Sequence, residues 1–211
     1  MLEKIKKLFK KETEEQATDT STEDRVAAMF ETLGGDVITF CFGEDFIPMK
    51  DLILDTIQEF RENLKDKNGF IMPWVHILST EELQENEILV KVREKEVLRA
   101  FAVPNEKSAK KEIKDALNFV YENYLDEIFT CEITEKYINT VQSTLLGTIW
   151  NVTAIYTVTE IRAILVKLLE NDKSIKNIVY VFEKFAECSL RSGFYEHYNT
   201  SKIARELTSM L

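Results

Sequence analysis

The period of the apolar residues changes once along this chain, at Pro104, and that change limits what it can fold into. Ahead of it, residues 87–93 alternate, with Ile88, Val90 and Val92 set against Leu89, Lys91 and Arg93, as in a half-buried strand. Beyond it, apolar side chains recur at helical spacing. Ile113, Leu117, Val120, Tyr121 and Tyr124 mark one helix; Tyr137, Val141, Leu145 and Ile149 a second; Ile161, Leu165, Leu168 and Leu169 a third. Ile175, Ile178, Phe182 and Phe185 mark a fourth, and Ile203, Leu207 and Leu211 a last. Strand patterning followed by helical patterning is the signature of an α+β protein.

Ahead of Pro104 the elements can be placed one by one. Residues 36–42 (Asp-Val-Ile-Thr-Phe-Cys-Phe) have the β-branched and aromatic content of a strand. Residues 43–47 read as a loop, and Pro48 suits the first turn of a helix, where its missing N–H costs nothing. Ile53, Ile57, Phe60 and Leu64 carry that helix to about Lys67, and Asn68-Gly69 stops it. Strands are expected at 75–79, 87–93 and 97–103, with a polar stretch at 80–86 and a tight turn at Glu94-Lys95. The expectation is a β-α-β-β unit over 34–103 and an all-helical subdomain over 104–211.

Residues 1–33 differ from the rest. Leu2, Ile5, Leu8 and Phe9 share one face of a short amphipathic helix, and Lys4, Lys6, Lys7, Lys10 and Lys11 fill the remainder. Such a helix fits an anionic membrane surface; the plainer reading is a solubilising tail. Residues 12–22 read as a flexible polar linker, and a short helix is expected over 23–33, ended by Gly34-Gly35.

The formal net charge of −10 argues against nucleic acid, which needs clustered Lys and Arg. Cys41, Cys131 and Cys188 are far apart, odd in number and without metal-ligand spacing, so they read as idle thiols in a reducing compartment. No run of about 18 apolar residues encodes a membrane span, and no secretory signal is expected. His76 and His197 are the only histidines, and a catalytic centre needs positioned partners. Glu81, Glu82, Glu85 and Glu87 could supply a carboxylate pair, but only if burial raised one pKa; their polar context reads as a solvated loop. Nucleotide and nucleophile-elbow motifs are missing. No enzyme, cofactor or metal is expected.

Two stretches carry a resemblance. In the first, Gly43 and Ile47-Pro48 precede a long helix, then Gly69-Phe70-Ile71-Met72-Pro73, the strand residues Val75 and Ile77, Leu83-Gln-Glu-Asn86-Glu87 and Glu96-Val97. In the second, Val158-Thr-Glu160-Ile161 leads through Leu168-Leu169-Glu170-Asn171 to Ser174-Ile175-Lys176-Asn177 and on to Phe182 and Phe185-Ala186. Both are similar to the cytosolic domain of the FlhA/InvA-type (FHIPEP) export-gate family of flagellar and type III secretion systems. These 211 residues hold no counterpart of that family's multi-pass membrane domain or of its last subdomain. Residues 103–125 stand where the family carries a small inserted subdomain, beside which its export chaperones dock.

The resemblance implies a non-enzymatic, cytoplasmic protein-docking module, with secretion components or chaperones as partners and at most weak self-association. The alternative is a peripheral membrane-surface scaffold held by the basic N-terminal helix. Of the aromatic residues at the strand ends, most should be core. Phe42, Phe46, Trp74 and His76 are the candidate partner contacts, with Trp74 expected to point outward. Leu2, Lys4, Ile5, Lys6, Lys7, Leu8, Phe9, Lys10 and Lys11 are the candidate membrane contacts.

Overall fold

β1 (Ile38–Phe42) is buried at all five positions, which explains why it reads as a continuous apolar run. It lies inside a mixed sheet between β2 (Val75–Ser79), parallel to it, and β3 (Glu87–Val92), antiparallel; β4 (Lys95–Phe101) pairs beyond β3. Parallel neighbours need a crossover connection, and α1 (Lys50–Asn68) provides it. Ile38, Phe40 and Phe42 pair with Val92, Val90 and Ile88 across one face, and all six join the main core. Ile53, Ile57, Phe60 and Leu64 of α1 belong to the same core. Cys41 and Leu89 lie on the other face, buried but outside that core.

The computed structural model describes residues 35–191 and 199–211. The chain divides into Met1–Gly35, of which only Gly35 is described, and Asp36–Leu211, which holds every described helix and strand. The amphipathic pattern at 2–11, the linker at 12–22 and the helix expected at 23–33 lie outside the described residues.

After β4 the described residues form helices only. α2 (Glu106–Asn123) starts one residue after Pro104-Asn105, and the Asn105 side chain caps it by accepting from the Ser108 N–H. A single turn, α3 (Leu125–Ile128), leads to α4 (Cys131–Thr144), capped by Thr130. Then come α5 (Leu146–Thr153), α6 (Val158–Glu170), α7 (Ile178–Arg191) and α8 (Thr200–Met210). Thr157 and Glu160 form a reciprocal capping box at the start of α6, satisfying two backbone donors that a helix start otherwise leaves open.

Several expectations change in detail. The segment 44–49 is a 3-10 helix that contains Pro48, so α1 begins two residues later. The pattern through Tyr137, Val141, Leu145 and Ile149 belongs to two helices, broken at Leu145 (φ −137°, ψ 73°). The hydroxyls of Ser143 and Thr144 both donate to the Thr140 carbonyl, a side-chain competition that weakens a helix end. Ile175 precedes α7 and is fully buried in the loop. The β3–β4 turn is Arg93-Glu94, one residue earlier than expected. Both residues have positive φ (48° and 65°), as a type I′ turn requires.

Candidate docking site

The first signature, Gly69 to Pro73, turns the chain from α1 into β2. Gly69 caps α1 in the left-handed conformation (φ 84°). A Cβ there would stand 2.3 Å from the Lys176 nitrogen, so the position needs glycine for its φ and for its neighbour. Phe70 is fully buried and stacks on Phe129 at 5.4 Å. The Ile71 N–H donates to the Tyr137 hydroxyl (2.9 Å), which donates to the Gly69 carbonyl (2.6 Å). Burial pushes the Tyr137 phenol up to about 12. The second signature closes on the same spot. The Ile175 N–H donates to the Asn68 carbonyl (2.7 Å) and the Lys176 ammonium to the Asp66 carbonyl (3.0 Å). The two stretches that carry the family resemblance thus clip the sheet unit to the helices.

The Leu-x-x-Asn-Glu stretch is also structural. Glu87 is 2% exposed, which corrects its reading as part of a solvated loop; Glu81, Glu82 and Glu85 are exposed. Glu87 pairs with Arg99 and accepts from the Gln84 N–H, because a buried carboxylate must have partners. The hydrogen bond to Glu96, followed by that to Glu87, pushes the Arg99 guanidinium up, and the Arg99 hydrogen bond holds Glu96 below the usual carboxylate range. Gly43 lies against this loop: its N–H donates to the Glu87 carbonyl (2.9 Å), and a Cβ would meet the Gln84 carbonyl at 2.0 Å.

Among the described residues, no three His, Cys, Asp or Glu side chains stand close enough to hold a metal ion, and no buried side-chain nitrogen or oxygen lacks a partner. Cys41 and Cys188 are buried and Cys131 is exposed. Burial pushes the Cys41 thiol up.

What this part of the molecule offers outward is apolar. A groove of about 560 Å³ opens between β2 and the 3-10/α1 segment. The candidates Phe42 and Phe46 form its floor. They are 3% and 1% exposed, with rings 5.5 Å apart, so a partner would meet them only from within the groove. His76 is exposed on β2, 3.3 Å from Asp36. Trp74, just ahead of β2, is 79% exposed, and its ring stacks under the Arg61 guanidinium at 4.1 Å. Arg61 also donates to the Met72 carbonyl. Ile47, Leu54 and Leu78 complete the walls and are 57%, 45% and 43% exposed. None of these three was among the contacts expected from the sequence, although Leu54 stands out of phase with the Ile53, Ile57, Phe60, Leu64 stripe. The nine candidate membrane contacts, Leu2 to Lys11, lie outside the described residues.

A model of the FHIPEP family matches residues 1–115. The chain belongs to the FHIPEP family. Solved structures share its fold. In the Chlamydia pneumoniae CdsV and CdsO protein complex the matching chain is 13% identical, with 81% of this chain and 65% of that one covered (TM-score 0.67). Shigella flexneri MxiA is 18% identical, with coverages of 82% and 62% (TM-score 0.63). The C-terminal domain of InvA is 15% identical, with coverages of 81% and 64% (TM-score 0.60). The FHIPEP chain described here therefore spans just under two thirds of each. No curated protein sequence matches it.

Proposed function

We propose that this FHIPEP-family chain is a non-enzymatic protein-docking component of the export gate of a flagellar or type III secretion system, acting at the cytoplasmic side. The observation that supports this most is the apolar surface around β2, where Trp74, Ile47, Leu54 and Leu78 lie open beside a preformed groove. A monomer that exposes a contiguous apolar patch of this kind is normally using it for a partner. Family membership supports secretion components or chaperones as the class of partner. The CdsV relative was solved together with CdsO, which supports a secretion-system protein as one such partner.

The test is binding of the purified chain to purified secretion chaperones and other purified proteins of the secretion apparatus, measured by calorimetry. Docking predicts saturable binding that weakens about tenfold or more in Trp74→Ala, since exposed aromatic anchors dominate interface energies. Absence of binding to every component of the apparatus would refute it.

The basic pattern at 2–11 favours a second reading, a peripheral scaffold on the membrane surface. Each lysine near an anionic surface adds about 1 kcal/mol, and salt screens it. On this reading the full chain pellets with anionic but not neutral vesicles at low salt, and a chain starting at Glu12 does not. Binding unchanged by that truncation, or no binding at low salt, would remove it.

A further inference from the structure

We infer that the open edge of β2 takes an extended, cationic peptide segment as an added strand, with the peptide's alternate apolar side chains seated in the Phe42–Phe46 groove. The inference rests on the docking function proposed above and names the form of one partner.

The edge comes first. Among the described residues, β2 pairs with β1 on one side only and ends the sheet. The Thr80 N–H donates to the Phe42 carbonyl, so Thr80 faces β1. Backbone groups of successive strand residues point to opposite sides. The N–H and C=O of Val75, Ile77 and Ser79 therefore point to the open side. Edges of this kind are normally blunted by proline, lysine, a bulge or a covering element. The β2 sequence, Val-His-Ile-Leu-Ser, carries none of the first two, and its register with β1 is unbroken. What flanks the edge is the groove.

The groove sets the side-chain pattern. Val75 and Ile77 line it from β2, and Ile47 and Leu54 line it from the opposite wall. A strand laid along β2 places every second side chain on the groove side. Apolar residues at alternate positions would cover Ile47 and Leu54, and backbone bonds to Val75, Ile77 and Ser79 would hold the register. This is the recognised physics of strand addition, in which backbone bonds give affinity and pockets give specificity.

Charge selects the occupant. Asp36 stands beside His76 at one end of β2, and the exposed Glu81 and Glu82 follow its other end. Asp51 and Asp55 are exposed on either side of Leu54 along α1. Lys50 is the cation that lines the groove, while Arg61 is engaged by Trp74 and the Met72 carbonyl. A peptide with Lys or Arg at both ends meets carboxylates at both ends. A second copy of this chain is the poorer occupant, because pairing two β2 edges would bring these same carboxylates together in a chain of net charge −10.

The experiment uses the full chain and synthetic peptides of roughly ten residues, long enough to span a typical strand. One alternates Val or Ile with Thr and has two lysines at each end. A second has glutamates in place of the lysines. A third is N-methylated at every second amide along the edge that would face β2. We expect the lysine peptide to bind with a Kd on the order of ten micromolar. It should slow hydrogen exchange at Val75, Ile77 and Ser79, and the other two peptides should bind about tenfold or more weakly. Ile77→Pro should abolish binding, because its N–H faces the open side, where a sheet tolerates proline; far-UV CD checks its fold. Leu54→Lys, an exposed change, is the second variant and should weaken binding similarly.

Three outcomes overturn the inference. One is no binding of the lysine peptide. Another is binding indifferent to N-methylation and to both variants. The third is protection of β2 without peptide, in a dimer that Ile77→Pro dissociates, which would assign the edge to a second copy. Failure here is separable from failure of the docking function: chaperone binding that persists in Ile77→Pro keeps docking and moves it to another surface.

Discussion

Gly69 and Tyr137 hold the join between sheet and helices, and each makes a prediction. Gly69 combines φ 84° with a backbone neighbour so close that a Cβ would stand 2.3 Å from it. Gly69→Ala should destabilise the chain by about 2 kcal/mol or more, since the left-handed conformation alone costs an L-residue about 1–2 kcal/mol. Gly147, in α5, is the control. Nothing lies within 4 Å of a Cβ there, and Gly147→Ala should stabilise by about 0.5 kcal/mol through helix propensity. Urea unfolding of both variants checks the contrast. The Tyr137 phenol is held near 12 by burial, against 10.0 for the free group. Its folded pKa is raised, so the stability it contributes is complete below pH 10 and is lost as pH rises from about 10 to 12. Wild type should lose stability more steeply than Tyr137→Phe across that window, by about 2 kcal/mol at its upper end. Equal slopes for the two proteins would show that the phenol is not held neutral.

At the scale of elements, the turn Arg93-Glu94 shows where local sequence and structure disagree. Both residues take left-handed conformations without glycine or asparagine, the residues that I′ turns favour. Arg93 has a second task, since its guanidinium donates to the Glu127 carbonyl at 3.1 Å. The correction therefore belongs at Glu94. Glu94→Gly should raise stability by about 0.5–1 kcal/mol, the relief of strain exceeding the entropy that glycine loses, and a higher thermal midpoint would report it. The start of α6 offers the opposite case. Thr157→Ala removes the hydroxyl that accepts from the Glu160 N–H, while the residue-157 N–H can still donate to the Glu160 carboxylate, and should cost about 1 kcal/mol. The β-α-β-β order was legible because each element carries its own period and stop signal. The break at Leu145 was not, because Tyr137, Val141, Leu145 and Ile149 keep helical spacing straight through it, and only the hydroxyls of Ser143 and Thr144 mark the end. The candidate docking residues were half legible. Trp74 stands out beside Pro73, whereas the exposure of Ile47, Leu54 and Leu78 depends on β2 being an edge.

For the whole molecule, the sheet and helical parts of Asp36–Leu211 share one core and are clipped together at Asn68, Gly69, Ile71, Tyr137 and Ile175. They should unfold as one cooperative unit. The two tryptophans make this testable, since Trp74 reports on the sheet part and Trp150 on α5. Trp74→Phe and Trp150→Phe each leave one reporter, and the fluorescence midpoints in urea should agree with each other and with far-UV CD. Separate midpoints would mean that 34–103 and 104–211 are independent domains. The net charge of −10 opposes self-assembly at low salt. Light scattering at tens of micromolar, a concentration on the order of a weak interface's Kd, should find mainly monomer or dimer, and a stable large ring would contradict this.

What the amino-acid order determined by itself was everything local: the period-two and helical stretches, the stop at Asn68-Gly69, the start after Pro104, and the signature residues that place the chain in its family. These follow from backbone geometry within a few residues, so they can be read from the sequence alone. The tertiary structure decided which side chains those signals leave outside. Phe42 and Trp74 are both aromatics near strand ends, yet one is floor and the other is surface. Glu85 and Glu87 stand two apart in one acidic stretch, yet Glu85 is exposed in the loop and Glu87, the first residue of β3, is buried against Arg99. Burial depends on which strand lies at the sheet edge and on what packs across from it, and those neighbours come from elsewhere in the chain, 12 positions away for Arg99 against Glu87 and 68 for Tyr137 against Gly69.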